Sequence, residues 1–562
     1  MRARKLVECL LAASLVLAGC VSIPNSGPVQ SISPSTTGGG AIGLTVQPPA
    51  KGATPKQIVD GFLLASQGGI DDNFAVAREF LYSDAASNWK PLARVHVYPD
   101  SQEVSTTVLD NGAVRASVSS QGTVSSRGVY TETANGSVIT SEFSLAKNED
   151  GEWRIVALDD GIYLSEHIFG QLFVESPLYF LAPDSQALVP DMRYFPRRTA
   201  ATSAINELLA GPSDWLATGV HTAVPEGTEL LKSVDVVDGV ATVDFSSEVL
   251  STSNSQRANM FVQIRRTLSA GNSVRSVNIK VEGADVTGVA SKDISNYPYG
   301  SYPITVLSEG LPSTVSGGRI SPLVTDPDLA GRNLTDIAVS YESGEPHLAV
   351  LGNNRTELIG VDAEKGSWAT LAAGASLTPP SYDRYGWAWV AESQSPDGFT
   401  AVNPEEGRSE RLAVPWLAGV NVRDIAVSRD GSRIVVVTEV AGEVNLRVAS
   451  ISRDNAGAPS QVGDPIIVGQ QLSEASDVAW IGPNTVAVLA RSPSGSESGM
   501  FAVQIGGPTS HLAAPYSGSQ KITAGRDDTS IIALTDKQEA YSREGGAWGA
   551  VATSVTAVAY PG

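Results

Sequence analysis

NLTDIAVSYESGEPHLAVLG (333–352) and NVRDIAVSRDGSRIVVVTEV (421–440) echo one another, and this internal repeat constrains the fold more than any other feature of the chain. Weaker echoes are RYGWAWVAES (384–393), ASDVAWIGPNTVAVLAR (475–491) and KITAGRDDTSIIALTD (521–536). Aligned on the residue before each first strand, they start near 336, 383, 424, 477 and 521, a period of about 41–53. Each period holds short apolar strands separated by polar turns, such as 434–437, 444–448 and 501–504. One such unit cannot bury its own apolar faces, and units of this size stacked about an axis form the blades of a β-propeller. VTAVAYPG (555–562) reads as one further first strand. It would complete a blade begun near residue 320 and close the ring. Residues 319–562 are therefore expected to form an all-β propeller of five to six blades.

The other end of the chain concerns location. Arg2, Arg4 and Lys5 precede an apolar run from Leu6 to Leu17, interrupted by Glu8, Cys9 and Ser14, and then comes Leu17-Ala18-Gly19-Cys20. That is the anatomy of a secretory signal. A run of about 12 residues is too short for the ~20 needed to span a bilayer. L-A-G-C resembles the bacterial lipobox. The resemblance implies removal of residues 1–19 and a lipid-bearing Cys20, with an S-diacylglycerol and an N-acyl group such as palmitate.

Cleavage before Cys20 leaves 543 residues with 36 basic and 59 acidic side chains, a net charge of −23. The only mature cysteine is then Cys20, so hydrophobic cores rather than disulfides must stabilise the fold. The acidity argues against nucleic acid, whose affinity comes largely from Lys and Arg on phosphates. It argues equally against adsorption on anionic lipid, so the covalent lipid must hold the protein at the outer face of the plasma membrane. Two acyl chains anchor stably where one does not. Residues 20–53, rich in Pro, Gly, Ser and Thr, read as a flexible tether with a reach of roughly 30 Å.

Two α+β units follow. In residues 54–168, Ile58, Phe62 and Ala65 mark one face of a helix over 55–67, and Phe74, Ala77 and Leu81 mark a second. Alternating strands come next, around Val95 and Val97, Thr107 and Leu109, Val114 to Val118, Phe143 and Leu145, and Trp153 to Ala157. Two helices and a long meander suggest a sheet curved over a helix, an order that resembles nuclear transport factor 2-like domains. His96, between Val95 and Val97, is expected to face away from their core and to lie at the surface.

In residues 172–311, a helix over 199–210 stops at Gly211-Pro212, and Asp238-Gly239 turns a hairpin between Val236 and Ala241. A second helix spans 256–270, before a strand at Val277, Ile279 and Val281. INELLAGPSDWLATGVHTAVPEGTELL (205–231), VDGVATVDFS (237–246) and VRSVNIKVEG (274–283) resemble the GerMN domain. That resemblance implies a binding or assembly module.

Lipobox, tether, GerMN-like middle and propeller end, in that order, resemble the LpqB family of actinobacterial lipoproteins. The resemblance implies an accessory protein that contacts the extracytoplasmic part of a two-component sensor histidine kinase of the MtrB type. It also implies a part in cell-envelope homeostasis and division.

The chain shows no enzymatic constellation. His96, His167, His221, His347 and His511 are scattered, with no H-E-x-x-H pair, no G-x-S-x-G elbow and no G-x-x-x-x-G-K-S/T loop. Ser87-x-x-Lys90 and Ser144-x-x-Lys147 match S-x-x-K, a pattern short enough to arise by chance. No enzyme activity, cofactor or metal is expected. The pairs Asp326/Asp328 and Asp527/Asp528 lack the spacing of a calcium loop and read as turn charges. Tyr382, Tyr385, Trp387 and Trp389 can either pack between blades or form an exposed platform for a partner or a glycan. The platform reading supports an alternative role, a receptor for a small solute or cell-wall glycan.

Overall fold

The computed structural model describes residues 46–562 except 272, 296–301, 342–345, 395, 493–497, 514–515 and 545–546. The signal, Cys20 and most of the tether lie outside the described residues. Residues 46–562 form one compact unit.

Thr54 starts the first helix, Pro55–Gly68. Its hydroxyl accepts the Gln57 N–H (3.4 Å) while the Gln57 side-chain carbonyl accepts the Thr54 N–H (2.9 Å), a reciprocal cap worth about 1 kcal/mol. Ile58, Phe62 and Ala65 are buried, as their spacing requires. The second helix is shorter than expected, Ala75–Arg78. Asn73 and Phe74 have φ of 58° and 60°, and this left-handed pair reverses the chain before the helix begins. Leu81 lies beyond it and bridges Ile155.

Two four-stranded sheets complete this part. Ser105–Val108, Val114–Ser119, Val138–Lys147 and Trp153–Ala157 form an antiparallel meander. In the other sheet Arg94–Tyr98 pairs in parallel with Ile162–Ser165, so a late strand returns beside the first.

In the middle of the chain, helix Ala200–Ala210 ends at Gly211, whose φ of 93° suits glycine alone, and Pro212 prevents continuation. Asp238 and Gly239, with φ of 50° and 75°, join Asp235–Val237 to Val240–Phe245 in a two-residue hairpin. Helix Asn254–Ser269 starts two residues earlier than expected because the Ser253 hydroxyl caps it through the Gln256 N–H (3.2 Å). It crosses over to Ser276–Val281, which lies parallel to Val240–Phe245. Ile205, Leu208, Phe245, Met260 and Ile264 form the core between helices and sheet.

The remaining described residues build six antiparallel sheets of at least four strands, in chain order. The fourth carries an additional strand, Ile466–Val468, on Glu443–Arg453. The first sheet takes its fourth strand, Val555–Ala559, from the far end of the chain, paired with Ile304–Ser308. Ile304–Ser308 and Leu311–Ser316 precede residue 319, so the sheet region begins earlier than the repeat indicated. The strand at 555–562, expected to complete a unit begun near 320, does pair into this first sheet, and its partner is Ile304–Ser308. The innermost strands, Ile337–Val339, Ser381–Tyr382, Asn421–Val427, Ser473–Gly482, Ser519–Ala524 and Val555–Ala559, each pack against the next, and the last packs against the first.

Candidate functional site

Inside this cycle of strands the repeated motif has a clear physical role. The aspartate before each apolar run (D-I-A-V at 336 and 424, D-V-A-W at 477) ends up buried at the inner strand. The Asp424 carboxylate accepts the Val478 N–H of the next sheet at 3.0 Å, and the Asp477 carboxylate accepts the Ile522 N–H of the sheet after that. Ser381 Oγ accepts the Val427 N–H (2.9 Å) and Thr523 Oγ1 the Tyr560 N–H (3.1 Å). Neighbouring sheets are thus fastened by charge-assisted and hydroxyl hydrogen bonds as well as by apolar packing. These aspartates were not singled out from the sequence. The signal was there, an aspartate at the aligned position of four of the five echoes (336, 383, 424 and 477).

The same residues line a cavity of about 100 Å³ whose wall includes Lys521. Lys521 reaches Asp336, which Arg355 also approaches at 3.8 Å. The two cations outweigh burial and hold the Asp336 carboxyl below its usual range. Asp424 and Asp477 behave oppositely. Burial first, and for Asp477 the neighbouring Asp424 charge, push this hydrogen-bonded pair up, Asp424 from 3.8 to about 6. A carboxyl whose native pKa exceeds its unfolded value holds its proton more tightly when folded. The stability it contributes is present at low pH and lost as pH rises through the native pKa. Between about pH 4 and 6 the pair should therefore make stability fall with rising pH. Asp477→Asn is expected to flatten that part of the profile, measured as urea midpoint against pH in parallel with the unsubstituted protein.

The aromatic platform is not a surface. Tyr382, Trp387 and Trp389 are 0–1% exposed, and Tyr385 is half-buried. Trp387 and Trp389 pack with Phe399, Leu417 and Ile434 between the third and fourth sheets. Asp383 organises them, accepting the Tyr385 and Trp387 N–H groups, the Trp389 indole N–H (2.9 Å) and Arg453 Nη2. The Arg384 and Arg453 guanidinium groups lie over the Tyr385 ring, 4.3 and 4.1 Å from its centre. Large apolar side chains fill the wedge between splayed sheets, so Tyr382, Trp387 and Trp389 present no exposed face to a glycan.

Other residues considered from the sequence also find structural partners. His96 faces away from Val95 and Val97 and is part-buried rather than fully at the surface. It stacks on Tyr163 at 4.9 Å, and burial, with Arg94 nearby, lowers its pKa to about 4. The adjoining cavity, about 10 Å³, has room for little more than a water molecule. It offers no seat for a solute. Asp326 caps helix Pro327–Ala330 and accepts the Trp368 indole N–H (2.9 Å), while Asp527 caps Asp528–Ser530. Among the described residues no group of three or more His, Cys, Asp or Glu is disposed to hold a metal. No described helix is long and apolar enough to cross a membrane.

The two α+β parts are bound to the sheets by polar contacts that no local pattern predicts. Glu132 is buried and accepts both the Thr509 N–H (2.9 Å) and hydroxyl (3.0 Å). Gln470 and Gln471 donate to the Glu132 and Thr133 carbonyls. Thr218 Oγ1 meets Ser450 Oγ at 2.8 Å, and Arg384 pairs with Asp184 at 2.6 Å. At Gly219 a Cβ would lie 2.8 Å from the Ser432 carbonyl oxygen, so only glycine permits this approach. Gly219→Val is expected to loosen the joint, seen as faster proteolysis between the α+β parts and the sheets.

Comparison with known proteins fits this order of parts. The family model described as "Lipoprotein LpqB, N-terminal domain" matches residues 48–170, and "Lipoprotein LpqB beta-propeller domain" matches 309–561. A third, "Sporulation and spore germination", matches 177–287. Lipoprotein LpqB of Thermobifida fusca is 27% identical over 91% of this chain and 91% of its own. The Streptomyces avermitilis protein of that name is 25% identical over 100% and 98%. The chain belongs to the LpqB lipoprotein family. Membership in the LpqB family implies an exported, lipid-anchored protein. The first GerMN domain of the sporulation protein GerM from Bacillus subtilis, a solved structure, is 22% identical over 22% of this chain and 97% of its own, with a TM-score of 0.18.

Proposed function

We propose that this protein is anchored through lipidated Cys20 at the outer face of the plasma membrane and acts there without catalysis. In this reading it binds the extracytoplasmic part of an MtrB-type sensor histidine kinase and modulates it in cell-envelope homeostasis and division. Membership in the LpqB family along nearly the whole chain is the observation that carries the reading. We read the six sheets as blades of one propeller closed by Val555–Ala559, and the first α+β part as nuclear transport factor 2-like. Both are scaffolds on which loops and faces bind partners. The internal acids and aromatics support a rigid body rather than a reaction centre, since each already has a packing or hydrogen-bonding task. The net charge of −23 for the mature chain favours a partner surface of opposite sign.

Co-purification tests this. Detergent-solubilised intact protein is expected to retain a sensor histidine kinase, less strongly at high salt. A form lacking residues 304–562 is the comparison that assigns the contact to the sheets or to the α+β parts. Recovery of no histidine kinase by either form would overturn the reading.

A further inference from the structure

The three parts of the molecule meet around a cavity of about 300 Å³. Its apolar walls come from all of them: Val129 from the first, Met192 and Trp215 from the second, and Ile466, Ile467 and Ile505 from the sheets. Ile467 is 44% exposed although it sits in a strand, so part of this wall faces the opening.

The acids beside the cavity are already engaged. Asp191 is held by two Arg193 nitrogens (2.6 and 2.9 Å) and by the Ser213 N–H (2.7 Å), and Glu132 is occupied by Thr509. A charged ligand would have to be buried there without compensating partners, which is costly. An apolar one gains the walls and covers Ile467. The volume is twice the ~150 Å³ that admits benzene in an engineered apolar cavity. Ligand sites favour such joints between domains.

We propose that this junction cavity binds an uncharged apolar ligand, a hydrocarbon chain or a molecule of about two rings, and that its occupancy stiffens the joint. The mechanical link is short. The wall strand Ile466–Val468 runs directly into Gln470 and Gln471, the residues that grip Glu132 and Thr133 of the first part. A ligand against Ile466 and Ile467 therefore bears on the segment that clamps the α+β parts to the sheets. This inference is independent of the kinase reading.

The test uses residues 46–562, which form a compact unit by themselves, titrated with N-phenyl-1-naphthylamine, a neutral dye whose emission rises on leaving water. Saturable binding of one dye per chain is expected, with a higher unfolding midpoint for the occupied protein. Displacement by dodecanol alone would point to a fatty chain, by farnesol alone to an isoprenoid, and by both to hydrocarbon in general. Each of these supports the site. Val129→Trp and Ile467→Trp fill the cavity from two different parts of the molecule, and each should weaken dye binding at least tenfold with the circular dichroism spectrum preserved. If one variant fails to fold, the other decides. The proposal is overturned by lack of saturable binding, by displacement with neither alcohol, or by unchanged affinity in a folded wall variant.

Discussion

Asp383→Ala is expected to destabilise the sheet region by about 3–5 kcal/mol, the usual cost of leaving one member of a buried ion pair alone. Asp383 and Arg453 are both fully buried and meet at 2.5 Å. The carboxylate also accepts two backbone N–H groups and the Trp389 indole N–H. Its removal strands one guanidinium and three donors in a place that water does not reach. Asp383→Asn keeps a carbonyl oxygen for part of this network but loses the charge, so a smaller loss is expected. The readout is the urea midpoint by tryptophan emission, with hydrogen exchange over Ala388–Ala391 and Gly398–Asn403 to locate the loosening. Asp397→Ala, which breaks the solvent-exposed pair with Arg411, should change neither measurably. Equal effects of the two substitutions would contradict the role given to Asp383.

That contrast also marks what the sequence could reveal. Helix Pro55–Gly68 was readable from its apolar spacing, and the Asp238-Gly239 hairpin because Asp-Gly is one of the few pairs that suit a two-residue turn. The helix expected from Phe74 to Leu81 is confined to Ala75–Arg78: Phe74 is buried in a left-handed conformation before its start, and Leu81 is buried beyond its end, in a bridge to Ile155 that lies far along the chain. Trp387 and Trp389 were legible as an aromatic pair on one strand face. Whether that face met solvent or a neighbouring sheet depended on contacts with residues such as Leu417 and Ile434, far along the chain. Glu132 illustrates the limit most clearly. In isolation it is an acid at the end of a short strand, and only Thr509, more than 300 residues later, makes it a buried joint. The acids at 336, 424 and 477 were visible in the repeat, but the task of Asp424 and Asp477 emerges only when the next sheet presents an N–H, and that of Asp336 only when Lys521 reaches it.

Attachment through Cys20 is the claim on which the proposed function depends. Two long acyl chains, at ~0.8 kcal/mol per buried CH₂, supply far more anchoring energy than an acidic body could gain at an anionic surface. With serine at position 20 the thioether to diacylglycerol cannot form, and a peptidase that requires the lipidated cysteine leaves the precursor uncut. Fractionation discriminates poorly, because an uncleaved signal segment can itself hold the chain at the membrane. Metabolic labelling with a fatty acid is direct. The unsubstituted protein is expected to take up label on a mature chain beginning at Cys20, and the Cys20→Ser variant to take up none and to retain residues 1–19. Label on the Cys20→Ser variant at the level of the unsubstituted protein would contradict lipid anchoring at this residue.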